Sequence, residues 1–284
     1  MAHPALVPGA VAVVTGGASG IGLAAARHFA ATGMRIAIAD LGGDRLGEAA
    51  AALAEAAPDG AASVLVVETD VADRAAVVAL EAVVRERFGG TDVLMNNAGI
   101  GPESAILGPA AAWERTLAVN LWGVIHGSQV FAPGMIARDR PGLVVNTGSK
   151  QGITTPPGNP AYNVSKAGVK IFTEALAHEL RETEGARISA HLLIPGFVFT
   201  GLTRGDRTEK PPAAWTPEET VAFMLARIEA GDFYILCPDN DVSRDLDERR
   251  ILWAAGDIVE NRPALSRWHP DHASAFEAFV KGGA

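Results

Sequence analysis

Tyr162 and Lys166 stand four residues apart, just after Asn159-Pro160. Asn is a preferred helix N-cap and Pro fits the first helical position. Residues i and i+4 share one face of a helix, so phenol and ammonium point the same way. A free phenol titrates near ~10, too high for a base at neutral pH. A neighbouring cation favours the phenolate, and the helix N-terminus adds a smaller push. The pair therefore suits proton transfer. With two tyrosines and five lysines in 284 residues, this spacing seldom arises by chance. A second feature is the run Thr15-Gly16-Gly17-Ala18-Ser19-Gly20-Ile21-Gly22. Glycines here permit a tight turn and let backbone N–H groups approach a pyrophosphate at a helix N-terminus. Gly16, Ser19, Gly20, Ile21 and Gly22 are the expected cradle. Asp40 lies eighteen residues beyond Gly22, where a carboxylate can accept both ribose hydroxyls of adenosine. It would repel a 2′-phosphate. Leu41 stands where an arginine would welcome one, so NAD is expected rather than NADP. Asp70 either hydrogen-bonds the adenine or serves a plain turn.

These residues need elements to hold them. The pattern predicts strands at 11–15, 34–40, 63–69, 92–95, 143–147, 188–194 and 233–237. Helices are predicted at 21–32, 45–57, 74–88, 111–137, 161–184 and from Thr216 to about 230. Pro133-Gly134 should kink or break the fourth of these. Thr216-Pro217-Glu218-Glu219 reads as a capping box. The strands are apolar on both faces (VAVVT, RIAIAD, LVVNT), as a parallel sheet covered on both sides requires. Alternating strands and helices argue for a doubly wound α/β sheet of seven parallel strands. No linker or internal repeat divides the chain.

Taken together, Thr15 to Gly22, Asp70, Asn96-Asn97-Ala98-Gly99, Asn120, Ser149, Tyr162-Asn163-Val164-Ser165-Lys166 and Pro195-Gly196 resemble the short-chain dehydrogenase/reductase family, of the single-domain, NAD-dependent type. The resemblance covers residues 8–240 and implies a single-domain Rossmann fold. It implies Tyr162 as general acid/base, and Lys166 as holder of the nicotinamide ribose. It gives Ser149 a hydrogen bond to the substrate oxygen, and Asn120 a water behind the lysine. Val71, Asn97, Ala98 and Gly99 would face the adenosine side. Pro195, Gly196, Val198 and Thr200 would meet the nicotinamide. Residues 197–216 would form the substrate loop.

The implied reaction is NAD-dependent interconversion of a secondary alcohol and a ketone. A carbonyl reductase using NADH, and a dinucleotide-binding regulator without turnover, remain as rivals. Phe197, Phe199, Leu202, Trp215, Trp253 and Trp268 suggest a bulky apolar or aromatic substrate. Many members of the family that the chain resembles end soon after the seventh strand; here residues 241–284 remain, with a charged helical stretch and an apolar, Trp-bearing end. This extension is expected on the same domain, as a lid over the substrate, or on an oligomer partner. Lys150, next to Ser149, either points to solvent or recognises an acidic substrate. A homodimer or homotetramer is expected, with Val169, Phe172 and Leu176 as a possible contact.

Composition removes other classes. Lys plus Arg is 24 against Asp plus Glu 33, a net charge of −9, so nucleic acid and anionic membranes are not expected partners. Cys237 is the single cysteine, which rules out an intrachain disulfide or thiolate zinc cluster. The histidines lack ligand spacing, and no metal is expected. The N-terminal residues carry no basic or long apolar leader pattern. A cytoplasmic location is expected.

Overall fold

The computed structural model describes residues 3–282. Seven strands, β1 (Val11–Thr15), β2 (Arg35–Asp40), β3 (Val64–Glu68), β4 (Val93–Asn96), β5 (Gly142–Thr147), β6 (Ile188–Ile194) and β7 (Tyr234–Leu236), form one sheet. Its order is β3-β2-β1-β4-β5-β6-β7 and every pairing is parallel. The helices are α1 (Gly20–Ala31), α2 (Gly43–Ala56), α3 (Arg74–Phe88), α4 (Ala110–Leu117), α5 (Gly123–Ala137), α6 (Gln151–Thr154), α7 (Pro160–Glu182), α8 (Pro217–Glu229), α9 (Arg244–Val259) and α10 (Ala273–Lys281).

Strand side chains alternate between faces, and both faces are covered. In β1, Ala12 and Val14 join the cluster with Phe29 of α1 and Met224 of α8. Val11 and Val13 join the cluster with Leu80 of α3 and Phe131 of α5. Burial on both sides is why these strands read as unbroken apolar runs. Strand order reverses between β1 and β4. In open α/β sheets the crevice at that reversal, beyond the carboxyl ends of the strands, receives the ligand. Among the described residues no helix is long and apolar enough to cross a membrane.

The long fourth helix breaks elsewhere than the sequence suggested. Pro133 lies inside α5, which runs on to Ala137. Pro133 and Gln129, whose carbonyl loses its helical donor, are both solvent-exposed, so water can replace the missing bond. The interruption is instead a π turn at Ala118–Trp122. It carries Asn120, which is fully buried.

A similar revision applies to α7. Val169 is buried within the chain's own core. Phe172 and Leu176 pack against core clusters of the same chain. The apolar side chains α7 leaves exposed are Val164 and Ile171.

Candidate active site

The glycine-rich turn links β1 to α1 at the sheet's reversal. Gly16 has φ of +64°, and a Cβ there would lie 2.8 Å from the Ala98 Cα. A Cβ on Gly22 would sit 2.2 Å from the Gly16 carbonyl oxygen. Only glycine permits this closeness, which leaves a cradle of backbone at the start of α1. Ser19 caps α1 in extended conformation, and its hydroxyl makes no capping bond. Ile21 is half-buried beside it. The turn is braced from β4: the Asn97 side chain donates to the carbonyls of Thr15 (3.3 Å) and Gly16 (3.2 Å). The Thr15 hydroxyl accepts from the backbone of Asn97 and Ala98.

Asp40 ends β2 beside this cradle. Its two carboxylate oxygens accept from the backbone N–H of Ala18 (3.0 Å) and Leu41 (2.8 Å). The carboxylate is thus oriented while keeping free lone pairs, and the exposed Leu41 brings no positive charge. The residues present fit a nicotinamide dinucleotide. Asp70 spends one oxygen on Ala72 N–H within its own turn. Val71 turns its side chain into the core against Gly123, and its carbonyl is hydrogen-bonded to His126.

Beyond β5, β6 and β7 lies a cleft of about 450 Å³. Ser149, Tyr162, Pro195 and Gly196 all line it. Asn159 caps α7 by accepting from Tyr162 N–H, and also receives the Ser104 hydroxyl at 2.6 Å. Ser104 therefore ties the 100–109 loop to the helix that carries the tyrosine. Nothing in the sequence pattern marked that serine. Burial pushes the Tyr162 phenol above its ordinary value, and a hydrogen bond with Ser149 pulls it partly back. Lys166 is buried, with Nζ donating to the Thr147 carbonyl at 2.8 Å and lying 5.7 Å from the Tyr162 ring centroid. Desolvation lowers its pKa from 10.5 to about 8. The sequence suggested that the lysine pulls the tyrosine down. In the folded chain desolvation of the phenol is the larger effect, and it acts the other way.

Asn120 lies behind the cleft rather than on its wall. Its side chain accepts from Ile100 N–H and donates to the Ile100 carbonyl, both at 2.8 Å. It also donates to Ser165 (3.2 Å), whose hydroxyl donates to the Tyr162 carbonyl (2.7 Å). Gly99 stands between Asn120 and Lys166; a Cβ there would lie 3.6 and 3.8 Å from them. The π turn thus couples the loop after β4 to the tyrosine helix. Val198 is buried and bridges to Trp215. The Thr200 methyl carbon faces Gly20 across the cradle, 3.2 Å from where its Cβ would be. Residues 197–216 close on themselves at the base, Phe199 N–H to the Trp215 carbonyl and Trp215 N–H to the Phe197 carbonyl, both 2.9 Å.

Of the six aromatic and apolar residues singled out for the substrate, Phe197 and Leu202 line the cleft. Trp215 instead hydrogen-bonds Asn240 and stacks on Phe223. Trp253 forms a core for the extension, with Phe276 and Phe279 at 5.4 and 5.3 Å and Arg262 over its ring at 3.9 Å.

Lys150 neither points to solvent nor stands free for a substrate. Its Nζ lies 3.2 Å from Asp239 and 2.6 Å from Asp247, all three largely buried. The pairs clamp α9 to the strand end that carries Ser149. Lys150→Met leaves two carboxylates facing each other without their ion-pair partner, with only the Arg250 charge near Asp247. The expected cost is about 3 kcal/mol, a melting midpoint lower by about 5–10 °C in a thermal scan. Burial already raises the Asp247 carboxyl, so it takes up a proton early as pH falls and the deficit should shrink toward acid. An unchanged midpoint would show that the clamp contributes nothing.

A parallel sheet with a glycine cradle at its reversal, and a Ser–Tyr–Lys set at a cleft beyond its strand ends, defines a dinucleotide-binding oxidoreductase fold. The chain belongs to the short-chain dehydrogenase family, whose family model matches residues 10–211. It is 37% identical over 198 residues to a 2-(R)-hydroxypropyl-CoM dehydrogenase of Xanthobacter autotrophicus, covering 68% of this chain and 76% of that one. It is 35% identical over 248 residues to a 1-deoxy-11-beta-hydroxypentalenate dehydrogenase of Streptomyces avermitilis, covering 85% and 89%. A Burkholderia phymatum short-chain dehydrogenase solved in complex with NAD superposes with a TM-score of 0.79 at 31% identity, covering 90% of this chain and 96% of that one.

Proposed function

We propose that this protein is an NAD-dependent dehydrogenase that interconverts a secondary alcohol and a ketone, with Tyr162 as the general acid/base. The observation that carries this is the placement of Ser149 and Tyr162 on one cleft wall with Lys166 buried behind them. Gly16, Ser19, Gly20, Ile21 and Gly22 would hold the pyrophosphate, Asp40 and Leu41 the adenosine ribose, and Asn97, Ala98 and Gly99 the floor beneath it. Asp70 and Val71 would flank the adenine. Pro195, Gly196, Val198 and Thr200 would border the nicotinamide. When bound, that ring takes or returns a hydride at the carbinol carbon.

Ser149 and Tyr162 hold the substrate oxygen. In oxidation the Tyr162 oxygen accepts the hydroxyl proton; in reduction it returns one to the carbonyl oxygen. Because burial raises the Tyr162 pKa, the phenol is protonated at neutral pH and the reductive direction has its acid in place. Lys166, titrating at about 8, keeps most of its charge at pH 7. Asn120 positions the tyrosine helix through Ser165. The mixed lining of Phe197, Leu202 and Val242 with charged groups suits a bulky substrate with an apolar body. A homo-oligomer in the cytoplasm fits the exposed Trp122, Val164 and Ile171 and the acidic charge.

The test is dinucleotide reduction by purified protein with a panel of aliphatic, alicyclic and arylalkyl secondary alcohols, read at the nicotinamide absorbance at alkaline pH. Turnover with NAD⁺ and little with NADP⁺ is expected. Tight NAD⁺ binding without turnover of any alcohol or ketone would move the protein to a regulatory role.

A further inference from the structure

One cation at the cleft makes no hydrogen bond or ion pair among the described residues. Arg250 lines the cleft together with Ser149 and Tyr162. It lies one turn beyond Asp247 on α9, so the two share a face. Asp247 is committed to Lys150 at 2.6 Å. The Asp239 Oδ2 takes Lys150 and the Phe197 N–H, and its Oδ1 takes the backbone of Asp241 and Val242. Asp247 feels the Arg250 charge and its Oδ2 completes no hydrogen bond, yet neither carboxylate forms an ion pair with Arg250. Its Nε is shut off from solvent and hydrogen-bonds to nothing among the described residues. A guanidinium nitrogen taken from water without an acceptor is costly, so such groups are retained where something supplies the acceptor.

The neighbouring Arg267 makes the imbalance sharper. Its guanidinium lies over the rings of Trp268 (4.7 Å) and Phe276 (5.0 Å). Burial lowers it to about 10, and the Arg250 charge pushes the same way. Lys150, Arg250 and Arg267 thus share two carboxylates, and the surplus positive charge falls at the cleft wall. A guanidinium fork matches a carboxylate in a planar, bidentate pair.

We propose that Arg250 is a specificity residue, pairing with a carboxylate borne by the substrate away from its carbinol carbon. The substrate class is then a hydroxy acid, or keto acid in reverse, with an apolar body between the two polar ends. The proposal rests on the dehydrogenase reading, since Ser149 and Tyr162 are taken to hold the opposite end. It also assigns acid recognition to an arginine of the extension, in place of the clamped Lys150.

Two matched probes test it: para-(α-hydroxyethyl)benzoate and its methyl ester. Wild-type kcat/KM is expected to favour the acid by about tenfold or more. Arg250→Met should bring that ratio close to one, chiefly through KM for the acid, and Arg250→Lys should restore part of it. A wild-type ratio at or below one, or a ratio that Arg250→Met leaves alone, overturns the proposal and leaves the dehydrogenase reading intact. Calorimetric titration with para-acetylbenzoate and its methyl ester, in the presence of NAD⁺, separates the two readings. Arg250-dependent binding of the acid, with no turnover of the matching hydroxy acid in the kinetic assay, would keep the carboxylate-binding role of Arg250 and sink the dehydrogenase reading together with the substrate class built on it. Equal binding of both compounds by wild type, or binding of neither, overturns the proposal with no variant needed.

Discussion

Tyr162→Phe is expected to lower alcohol oxidation and ketone reduction by about 10²–10⁴-fold, the usual contribution of a positioned acid or base. The substitution removes only the phenolic oxygen. The cap on α7 survives, because Asn159 accepts from the backbone of residue 162. Lys166 also stays in place, since its ammonium is held by the Thr147 carbonyl and not by the phenol. Dinucleotide affinity should therefore change little, and stability should fall by about 1 kcal/mol or less, for one lost hydrogen bond to Ser149. The measurements are kcat in both directions and dinucleotide binding by fluorescence. Retention of more than about a tenth of the activity would remove Tyr162 from proton transfer.

The pH profile follows from the same group. Burial raises the phenol above its ordinary value, so the base form is scarce at neutral pH. Oxidation should climb steadily into the alkaline range while reduction falls. Ser149→Ala removes the hydrogen bond that holds the phenol down, so the climb should move to higher pH, beside any loss from substrate positioning. A profile that Ser149→Ala leaves in place would show that the hydroxyl does not tune the phenol.

The second large effect concerns cofactor choice. Asp40→Ser should raise the NADP⁺ over NAD⁺ ratio of kcat/KM by about 10²-fold, because a carboxylate facing a 2′-phosphate costs several kcal/mol. Serine keeps an acceptor within reach of the Ala18 N–H that Asp40 now binds, so the turn should hold. Adding Leu41→Arg at an exposed site should carry the ratio further by supplying a cation for the phosphate. The ratio is read from initial rates with either dinucleotide. If both variants leave it unchanged, the adenosine ribose does not lie at the end of β2.

Much of this was legible in the chain itself. The five inner strands were visible as apolar runs because burial on both faces leaves no room for polar alternation, whereas the edge strand β3 is only partly covered. The cradle was visible because a close backbone approach admits glycine alone, at Gly16 and Gly22 above all. The Tyr162–Lys166 spacing was visible because a helix brings every fourth residue onto one face. Each of these signals is local, and local geometry is written in adjacent residues.

What the tertiary structure decided depends on partners far apart in sequence. A π turn places Asn120 against Ile100, and no periodicity marks it. The upward shift of the Tyr162 phenol follows from its desolvation in the folded chain, which spacing does not report. Trp253 reads as a pocket wall by composition but packs inside the extension. Lys150 reads as a cation near a site but is clamped by Asp239 and Asp247, while Arg250, in a stretch the sequence marks only as charged, has an Nε that hydrogen-bonds to nothing among the described residues. The residue types fixed which charges exist. Only the docking of α9 against α6 and Lys150 decided which of them were cancelled, because charge compensation falls off within a few ångströms and is settled by packing.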